Sequence, residues 1–438
     1  MMNYKEAREY VKKAEQKGSI LGLKNIRNLM RELNNVQDKL KVLHIAGTNG
    51  KGSTLAYISE ILKQAGYKVG KYTSPAVFDY LEIFTINDKK ISEECYAKTM
   101  SEISQAVSRL IKKGEPSPTG FEIETALAYL YFYREKCDIV LIETGMGGDL
   151  DATNVINNTL LCVFTPISLD HMQILGETIR EIAMHKAGII KKDSVVISAL
   201  QEKSGEDEIK EAAQKKGAVY IQAGVPSNII YDEEKTTFDY IRNEAIIFKG
   251  LETFMLGTFQ PYNACVAAEA VLCLRKKGFT ITDKNIREGI KEALWHGRFE
   301  KIGERPNIFL DGAHNPGAAA DIRKSIEIYF TNRKIIYIIG VLADKNYDSV
   351  LGQTAELADE IITITPCNER ALNGEVLKQT AGKYNKNVLF VPSIEAAVDK
   401  AVKDAKAEGV IMVFGSLSYL NAVREYYNKH YTEKCTDR

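Results

Sequence analysis

The sequence predicts an α/β protein in two parts: a phosphate-loop domain on a mostly parallel sheet, then a smaller doubly wound domain. Three observations carry this. Short apolar, β-branched runs alternate with longer amphipathic stretches almost throughout, as βαβ units require. One such run, residues 42–45, leads directly into a glycine-rich loop, HIAGTNGKGST. The pattern then restarts after Trp295-His296-Gly297 with five further runs of the same kind. A length of 438 residues fits, since a domain takes roughly 100–200 residues.

Taken in order, the opening MMNYKEAREY is charged and helix-like, with no apolar core of a signal peptide. Residues 42–45 read as a buried strand, and residues 53–64 as the helix after its loop. Residues 137–143 (CDIVLIE), 160–165 and 194–198 read as further strands. The stretch 225–248 differs: strand-like pieces follow one another without helices, which predicts a small antiparallel insert. Helical stretches at 262–277 and 283–294 close the first domain, residues 1–296. The second domain, residues 297–438, has strands near 308–310, 335–339, 361–364, 388–391 and 410–414 with helices between them. Five strands with crossover helices make a doubly wound, Rossmann-like unit. There is no internal repeat, low-complexity tract or long flexible linker.

Charge and cysteine usage exclude other classes. Lys+Arg and Asp+Glu both number 58, so the chain lacks the cationic excess needed to coat nucleic acid or an acidic membrane. At 45% hydrophobic and 26% charged, the chain is too apolar for disorder and reads as a soluble globular protein. Its most apolar stretch, residues 335–343, is far shorter than the roughly 18–20 residues that span a bilayer. Cysteines at 95, 137, 162, 265, 273, 367 and 435 form no CxxC pair, which favours a reducing cytoplasm with each thiol buried as a small apolar residue.

The glycine-rich loop is the strongest chemical signal. Gly47, Gly50 and Gly52 let backbone N–H groups turn toward one anion, and the following helix N-terminus adds positive charge. Lys51 can reach the β- and γ-phosphates, and Ser53 can contact phosphate or magnesium. The fit to GxxxxGK[ST] is imperfect, because Ile45 stands at the first glycine and Gly52 follows the lysine. The plain alternative is an ordinary strand-to-helix turn. Absence of NKxD, the guanine-reading motif, favours ATP. Elsewhere, Glu143 ends a parallel strand, where ligands bind in open α/β sheets. His171 in SLDHM and Lys186 in HKAGI follow it. Gln260 and Asn263 stand at i, i+3 in GTFQPYNACVA, Arg298 in WHGRFE, and Asp311 and His314 in LDGAHNPGA, where Asn315-Pro316 starts a helix. Taken singly, each of these is a turn, cap or surface residue.

GTNGKG followed by Ser-Thr resembles the phosphate loop of the Mur ligase superfamily. Gly52 after the lysine, where Mur enzymes carry a hydroxyl residue, resembles the folylpolyglutamate synthase/dihydrofolate synthase family. Other stretches match in the same order over nearly the whole chain, among them GLKNIRNLM (22–30), PTGFE (118–122) and LDATN (150–154). The resemblance implies a Mur-ligase-like central domain and a C-terminal domain of the same superfamily. It implies ATP contacts from Asn49, Gly50, Lys51, Gly52, Ser53, Thr54, Asn263, Arg298 and Asp311, with His314 a catalytic neighbour. It assigns Ser74, Glu143 and His171 to Mg2+, admits a monovalent cation such as K+, and makes Lys186 a carbamylated lysine whose carbamate is an oxygen donor. Thr119, Phe121, Leu150, Asp151 and Ala152 then face the acceptor. One departure stands out: many members read GGRLDATN, and this chain has Asp149 at the arginine.

The implied reaction is amide ligation through an acyl phosphate. Its substrates are ATP, L-glutamate and dihydropteroate or reduced folates, handled by a cytoplasmic monomer with no nucleic-acid or membrane partner. Domain closure about the segment near 296 is expected. The alternatives are a monofunctional folylpolyglutamate synthase, a Mur-type peptidoglycan precursor ligase, and a non-catalytic nucleotide-binding module. The Mur-type reading needs a UDP-sugar-binding domain ahead of a loop that already begins at residue 47.

Overall fold

The computed structural model of the chain describes residues 1–16, 18 and 21–432. Contacts gather the chain into two compact units. One holds Met1–Val225, Tyr240–Ile247 and Tyr262–Ala293; the other holds Pro226–Asp239, Phe248–Pro261 and Leu294 onward.

The first unit is built on an eight-stranded sheet. Its strands are β1 (Val42–Ala46), β2 (Val69–Tyr72), β3 (Phe84–Ile86), β4 (Lys89–Lys90), β5 (Ile139–Glu143), β6 (Leu161–Phe164), β7 (Val195–Ser198) and β8 (Val219–Gln222), in the order β4-β3-β2-β5-β1-β6-β7-β8. All pairings from β2 to β8 are parallel, and β3 and β4 add an antiparallel edge. β1, β5 and β6 are buried at every position, so their sequences are apolar runs rather than alternations. Helices α1 (Tyr4–Glu15), α2 (Lys24–Glu32), α3 (Lys51–Gln64), α4 (Glu93–Lys112) and α5 (Gly120–Arg134) are followed by a short α6 (Met172–Leu175) and α7 (Ile179–Ala187). Residues of α1, α2, α4 and α5 pack with β2 and β5 in one core, and residues of β6, β7 and α7 share a second. Two capping boxes fix helix starts near the site: Thr119 with Glu122 for α5, and Thr178 with Glu181 for α7.

The insert has three strands, β9 (Val225–Tyr231), β10 (Thr236–Arg242) and β11 (Ala245–Thr253), ordered β11-β10-β9. Asn243 and Glu244, at φ 50° and 62°, make the two-residue turn that only an antiparallel pair permits. The insert runs to Thr253, past the 248 expected from sequence, because β11 keeps pairing through a polar segment.

The second unit's six-stranded sheet uses β12 (Glu300–Glu304), β13 (Asn307–Leu310), β14 (Ile335–Ile339), β15 (Glu360–Thr363), β16 (Val388–Phe390) and β17 (Val410–Phe414). Its order is β12-β13-β17-β14-β15-β16. The last five strands are the expected parallel set, and β12 is an antiparallel edge that the sequence, charged there, did not reveal. Not every thiol is buried: Cys367 is exposed, Cys95 and Cys137 are half-buried, and Cys435 lies outside the described residues. Among the described residues no helix is long and apolar enough to cross a membrane.

Candidate active site

β1 stops at Ala46 and α3 begins at Lys51, so residues 47–50 make the whole turn. Two glycines are sterically required. A Cβ on Gly47 would lie 1.9 Å from Thr165 Oγ1, and one on Gly50, at φ 82°, would lie 2.4 Å from Asn263 Oδ1. Asn263 therefore sits against the loop. The loop is also clasped from the chain after β6. Thr48 and Asn49 N–H donate to the Pro166 carbonyl at 2.9 and 3.3 Å. Thr48 Oγ1 donates to Ser168 O at 3.0 Å and accepts from Ser168 N at 3.1 Å. Those two amides are thus committed to the protein. The N–H groups at the start of α3, residues 50–53, precede the first intrahelical donor, Thr54 N, and such a helix start suits an anion.

Two amines and a carboxylate meet at this loop. Lys51 Nζ donates to Gly47 O and Thr48 O, both at 3.2 Å, and lies 3.8 Å from Glu143 Oε1 at the end of β5. Lys186, on α7, is 5% exposed and donates to the same Gly47 carbonyl at 2.8 Å. Burial, reinforced by the charge of Lys51, pushes Lys186 down to about 7, against the pull of Asp170 and Asp151. A lysine near 7 is half neutral at neutral pH, and only the neutral amine takes up CO₂.

The acceptor residues divide. Asp151 is buried and caps the turn Ala152–Val155; its carboxylate accepts from Thr153 N at 3.0 Å, from Thr153 Oγ1, and from Met146 N at 2.7 Å. Phe121 is half-buried, its ring 6.3 Å from that of Tyr72 and so close to Gly145 that a Cβ there would lie 2.6 Å from Cζ. Phe121, Gly145 and Asp151 therefore share one locality, Leu150 is exposed and Ala152 is buried. Thr119 is 4% exposed and gives its hydroxyl to Glu122 at 3.0 Å, so its visible work is capping α5. Asp149, at the position of the family's arginine, receives His185 Nδ1 at 3.0 Å and packs on Gly188, where a Cβ would be 2.3 Å away.

In the second unit, Asp311 follows β13 and its carboxylate accepts Phe299 N and Ala313 N, each at 2.7 Å. Burial pushes its pKa up, outweighing the nearby Arg298. The Arg298 guanidinium lies over Gly312, where a Cβ would be 2.0 Å from Nη1, and His314 Nδ1 donates to Gly312 O at 2.7 Å. Asn315 caps the helix Pro316–Tyr329, with proline in its first turn as expected.

Magnesium fits Glu143, a hard oxygen donor beside a phosphate loop, because Mg2+ needs few protein ligands when phosphate supplies the rest. The other expected ligands are less gathered. Ser74 is half-buried after β2, and His171 is exposed, at φ 52°, where it starts α6. No group of three or more His, Cys, Asp or Glu side chains able to hold a metal occurs among the described residues. Sequence reasoning missed the clasp of Thr165, Pro166 and Ser168, whose only trace is the glycine at 47. It also missed Glu300, which accepts Gly297 N at 2.8 Å and His296 Nδ1 at 2.6 Å, is paired with Arg424, and so shapes the turn that bears Arg298.

Comparisons agree over nearly the whole length. Residues 45–271 match the Mur ligase middle domain, and residues 297–417 match the Mur ligase, glutamate ligase domain. The dihydrofolate synthase/folylpolyglutamate synthase of Bacillus subtilis is 33% identical over 96% of this chain and 98% of its own. A Mycobacterium tuberculosis folylpolyglutamate synthase solved with ADP and AMPPCP is 26% identical, with a TM-score of 0.88 over 97% of this chain and 99% of that one. E. coli FolC in complex with DHPP and ADP is 30% identical, with a TM-score of 0.85 over 97% and 98%.

Proposed function

The chain belongs to the folylpolyglutamate synthase/dihydrofolate synthase family of the Mur ligases, and on that premise we propose that it is an ATP-dependent ligase joining L-glutamate to dihydropteroate and to folates. The observation that carries this reading is the Lys51 ammonium 3.8 Å from the strand-end carboxylate of Glu143, on a loop whose Gly47 carbonyl also holds the buried Lys186.

In this reading the amides of residues 50–53, with the Ser53 and Thr54 side chains, receive the phosphate chain of ATP. Asn49 borders it, Asn263 approaches from behind Gly50, and Arg298 and Asp311 are the nucleotide residues of the second unit. The acceptor carboxylate attacks the γ-phosphorus and ADP leaves, giving an acyl phosphate. Lys51 neutralises the phosphoryl oxygens as charge shifts onto the leaving group. The amine of L-glutamate then attacks the acyl carbon, the tetrahedral intermediate expels phosphate, and an amide remains. No covalent enzyme intermediate is needed, so the work is positioning and charge stabilisation.

Magnesium, when bound, would neutralise the phosphate oxygens; Ser74, Glu143, His171 and a carbamate on Lys186 are the residues that would hold it. A monovalent cation such as K+ would serve the carboxylates of the same region. His314, in the same motif as Asp311, is the neighbouring catalytic candidate. Phe121, through its ring face, and Asp151, with Thr119, Leu150 and Ala152, frame the acceptor. The absence of a CxxC pair supports a cytoplasmic location, the balanced charge supports small-molecule rather than nucleic-acid partners, and the family resemblance supports a monomer.

The test is a paired assay with ATP and L-glutamate, giving the protein dihydropteroate or a monoglutamyl reduced folate and following ADP and phosphate release. Turnover with both is expected. Turnover with the folate alone makes the protein a monofunctional folylpolyglutamate synthase. Turnover with neither, but with a UDP-muramyl peptide, overturns the proposal.

A further inference from the structure

Under the phosphate loop lies a histidine that the reaction does not use. His44 is the middle residue of β1, paired in register with Ile142 of β5 and Cys162 of β6, and it is fully buried. An imidazole at the centre of an apolar sheet needs a reason, since a neutral polar group left unbonded there is costly. Its one hydrogen bond joins Nε2 to Thr153 Oγ1 at 2.9 Å, across a sequence separation of 109 residues. Nδ1 is buried with no partner.

Hydrogen counting fixes the direction of this chain. Burial pushes the pKa of Asp151 up, but both its oxygens accept backbone amides, Thr153 N on one and Met146 N on the other, and these donors favour the carboxylate. The single proton of the Thr153 hydroxyl goes to Asp151. Thr153 Oγ1 must then accept from His44, which places the proton on Nε2 and leaves Nδ1 a bare lone pair. That agrees with the orphan: an unpaired buried acceptor is tolerated better than an unpaired N–H. Burial, helped by the charge of Lys191, pushes His44 down to about 3, so the imidazole stays neutral and keeps this tautomer. Tyr129 Oη donates to Thr153 O at 2.7 Å and holds the relay residue from the opposite side.

We propose that His44 is a positioning residue: through Thr153 it sets the Asp151 carboxylate that faces the acceptor, and so ties the strand that bears the phosphate loop to the acceptor loop. The assignment of Asp151 to the acceptor rests on the function proposed above; the relay itself rests on geometry alone. A shift of β1 is passed to Asp151 through two hydrogen bonds, so the acceptor is oriented by the same strand that ends at the nucleotide.

Two measurements decide it. In ¹⁵N-histidine-labelled protein at pH 7, His44 should give the pattern of a neutral ring protonated at Nε2; an Nδ1–H tautomer or an imidazolium overturns the relay whatever the protein's substrate. In the ligation assay, His44→Met and Thr153→Val should each raise the acceptor KM roughly tenfold, as expected for one lost buried hydrogen bond, and leave the ATP KM within about twofold. The double variant should be no worse than the worse single one, and His44→Gln, whose amide can still donate to Thr153, should stay within about threefold of the parent. Equal movement of both KM values, additive losses, or no change overturns the proposal. Thr153→Val removes only a hydroxyl and keeps the test open if His44→Met fails to fold. If the parent protein ligates neither acceptor, the functional reading falls and the labelled histidine still judges the relay.

Discussion

Glu143 and Asp311 occupy the same topological position in two different sheets. Each is an acid at the C-terminal end of a parallel strand, each is nearly fully buried, and each was read from sequence as a ligand-facing carboxylate. Their surroundings separate them. Glu143 stands against an ammonium, 3.8 Å from Lys51. Asp311 spends both oxygens on backbone amides, Phe299 N and Ala313 N. An acid facing a side-chain ammonium can exchange that partner for a bound ion; an acid whose two oxygens accept backbone amides is held in one orientation by its own loop. Position on the sheet identifies the crevice, and the donors around each oxygen identify the work.

The largest expected effects break this comparison if it is wrong. Glu143→Gln should lower turnover by roughly 10²–10³, the scale of losing one charged group aimed at a transferring phosphoryl. It should move the melting temperature by less than about 2 °C, because the amide keeps an oxygen toward Lys51 and Lys51 keeps its two carbonyl acceptors. Asp311→Asn should do the reverse. It turns one acceptor into an N–H donor facing an N–H, at a cost of about 1–3 kcal/mol, and should lower the melting temperature by roughly 3–8 °C. Its kinetic defect should fall on the ATP KM, since the loops it joins carry Arg298 and His314. Thermal melts and initial rates of both variants settle the matter; the same profile for both would erase the distinction.

How much of this was legible follows from the same physics. The buried strands and the phosphate loop could be read because a parallel sheet covered on both faces must be apolar throughout, and a tight strand-to-helix turn must carry glycine. Asn263 was assigned to ATP only through the resemblance, while its place beside the loop has a steric trace: Gly50 has no room for a side chain next to the Asn263 amide. The clasp by Pro166 and Ser168, the Asp149–His185 pair and the His44 relay were not legible. Each joins residues far apart in sequence, and none has a local composition that marks it. Thr119 carries a local signal that went unread. A threonine three residues before a glutamate is a capping box by local rule, and the structure uses it as one, while the resemblance pointed at a ligand. Edge strands such as β12 escaped because they are half-charged and short.

Lys186 extends the comparison from buried acids to a buried base. It holds one carbonyl acceptor and lies near Lys51, and its pKa falls to about 7. In the unfolded chain it would titrate near 10.4, so over the window from about 7 to 10 the unfolded state binds the extra proton and stability rises with pH. The neutral fraction rises in the folded protein through pH 6–8, where an ordinary lysine is neutral in about one molecule in a thousand. Carbamate should therefore form at fixed dissolved CO₂ in increasing amount from pH 6 to 8, seen as a ¹³C signal with labelled bicarbonate and lost in Lys186→Met. Ligation should decline roughly tenfold when CO₂ is stripped from the buffer. Activity indifferent to CO₂, with no carbamate signal at pH 8, would leave Lys186 as a simple cation over Gly47.

The smallest effect comes from a third buried acid. Glu124 on α5 has neither a lysine against it nor backbone amides on it; its carboxylate accepts from Tyr80 Oη, and burial pushes its pKa up to about 7. If the amides around Asp311 are what keep a buried carboxylate in the scaffold, an acid held by one hydroxyl should instead take a proton on folding. Between about pH 4.5 and 7 the folded state then binds the proton that the unfolded state has lost, so raising pH through that window should lower stability. Glu124→Gln keeps the acceptor for Tyr80 and removes the titration. It should flatten this segment of the melting-temperature profile, raising the midpoint by roughly 2–4 °C at pH 7.5 and by less at pH 4.5. A profile parallel to that of the parent would mean that Tyr80 and the nearby Arg8 charge outweigh burial and the charge of Glu15, and that counting amide donors is not what separates Asp311 from the other acids.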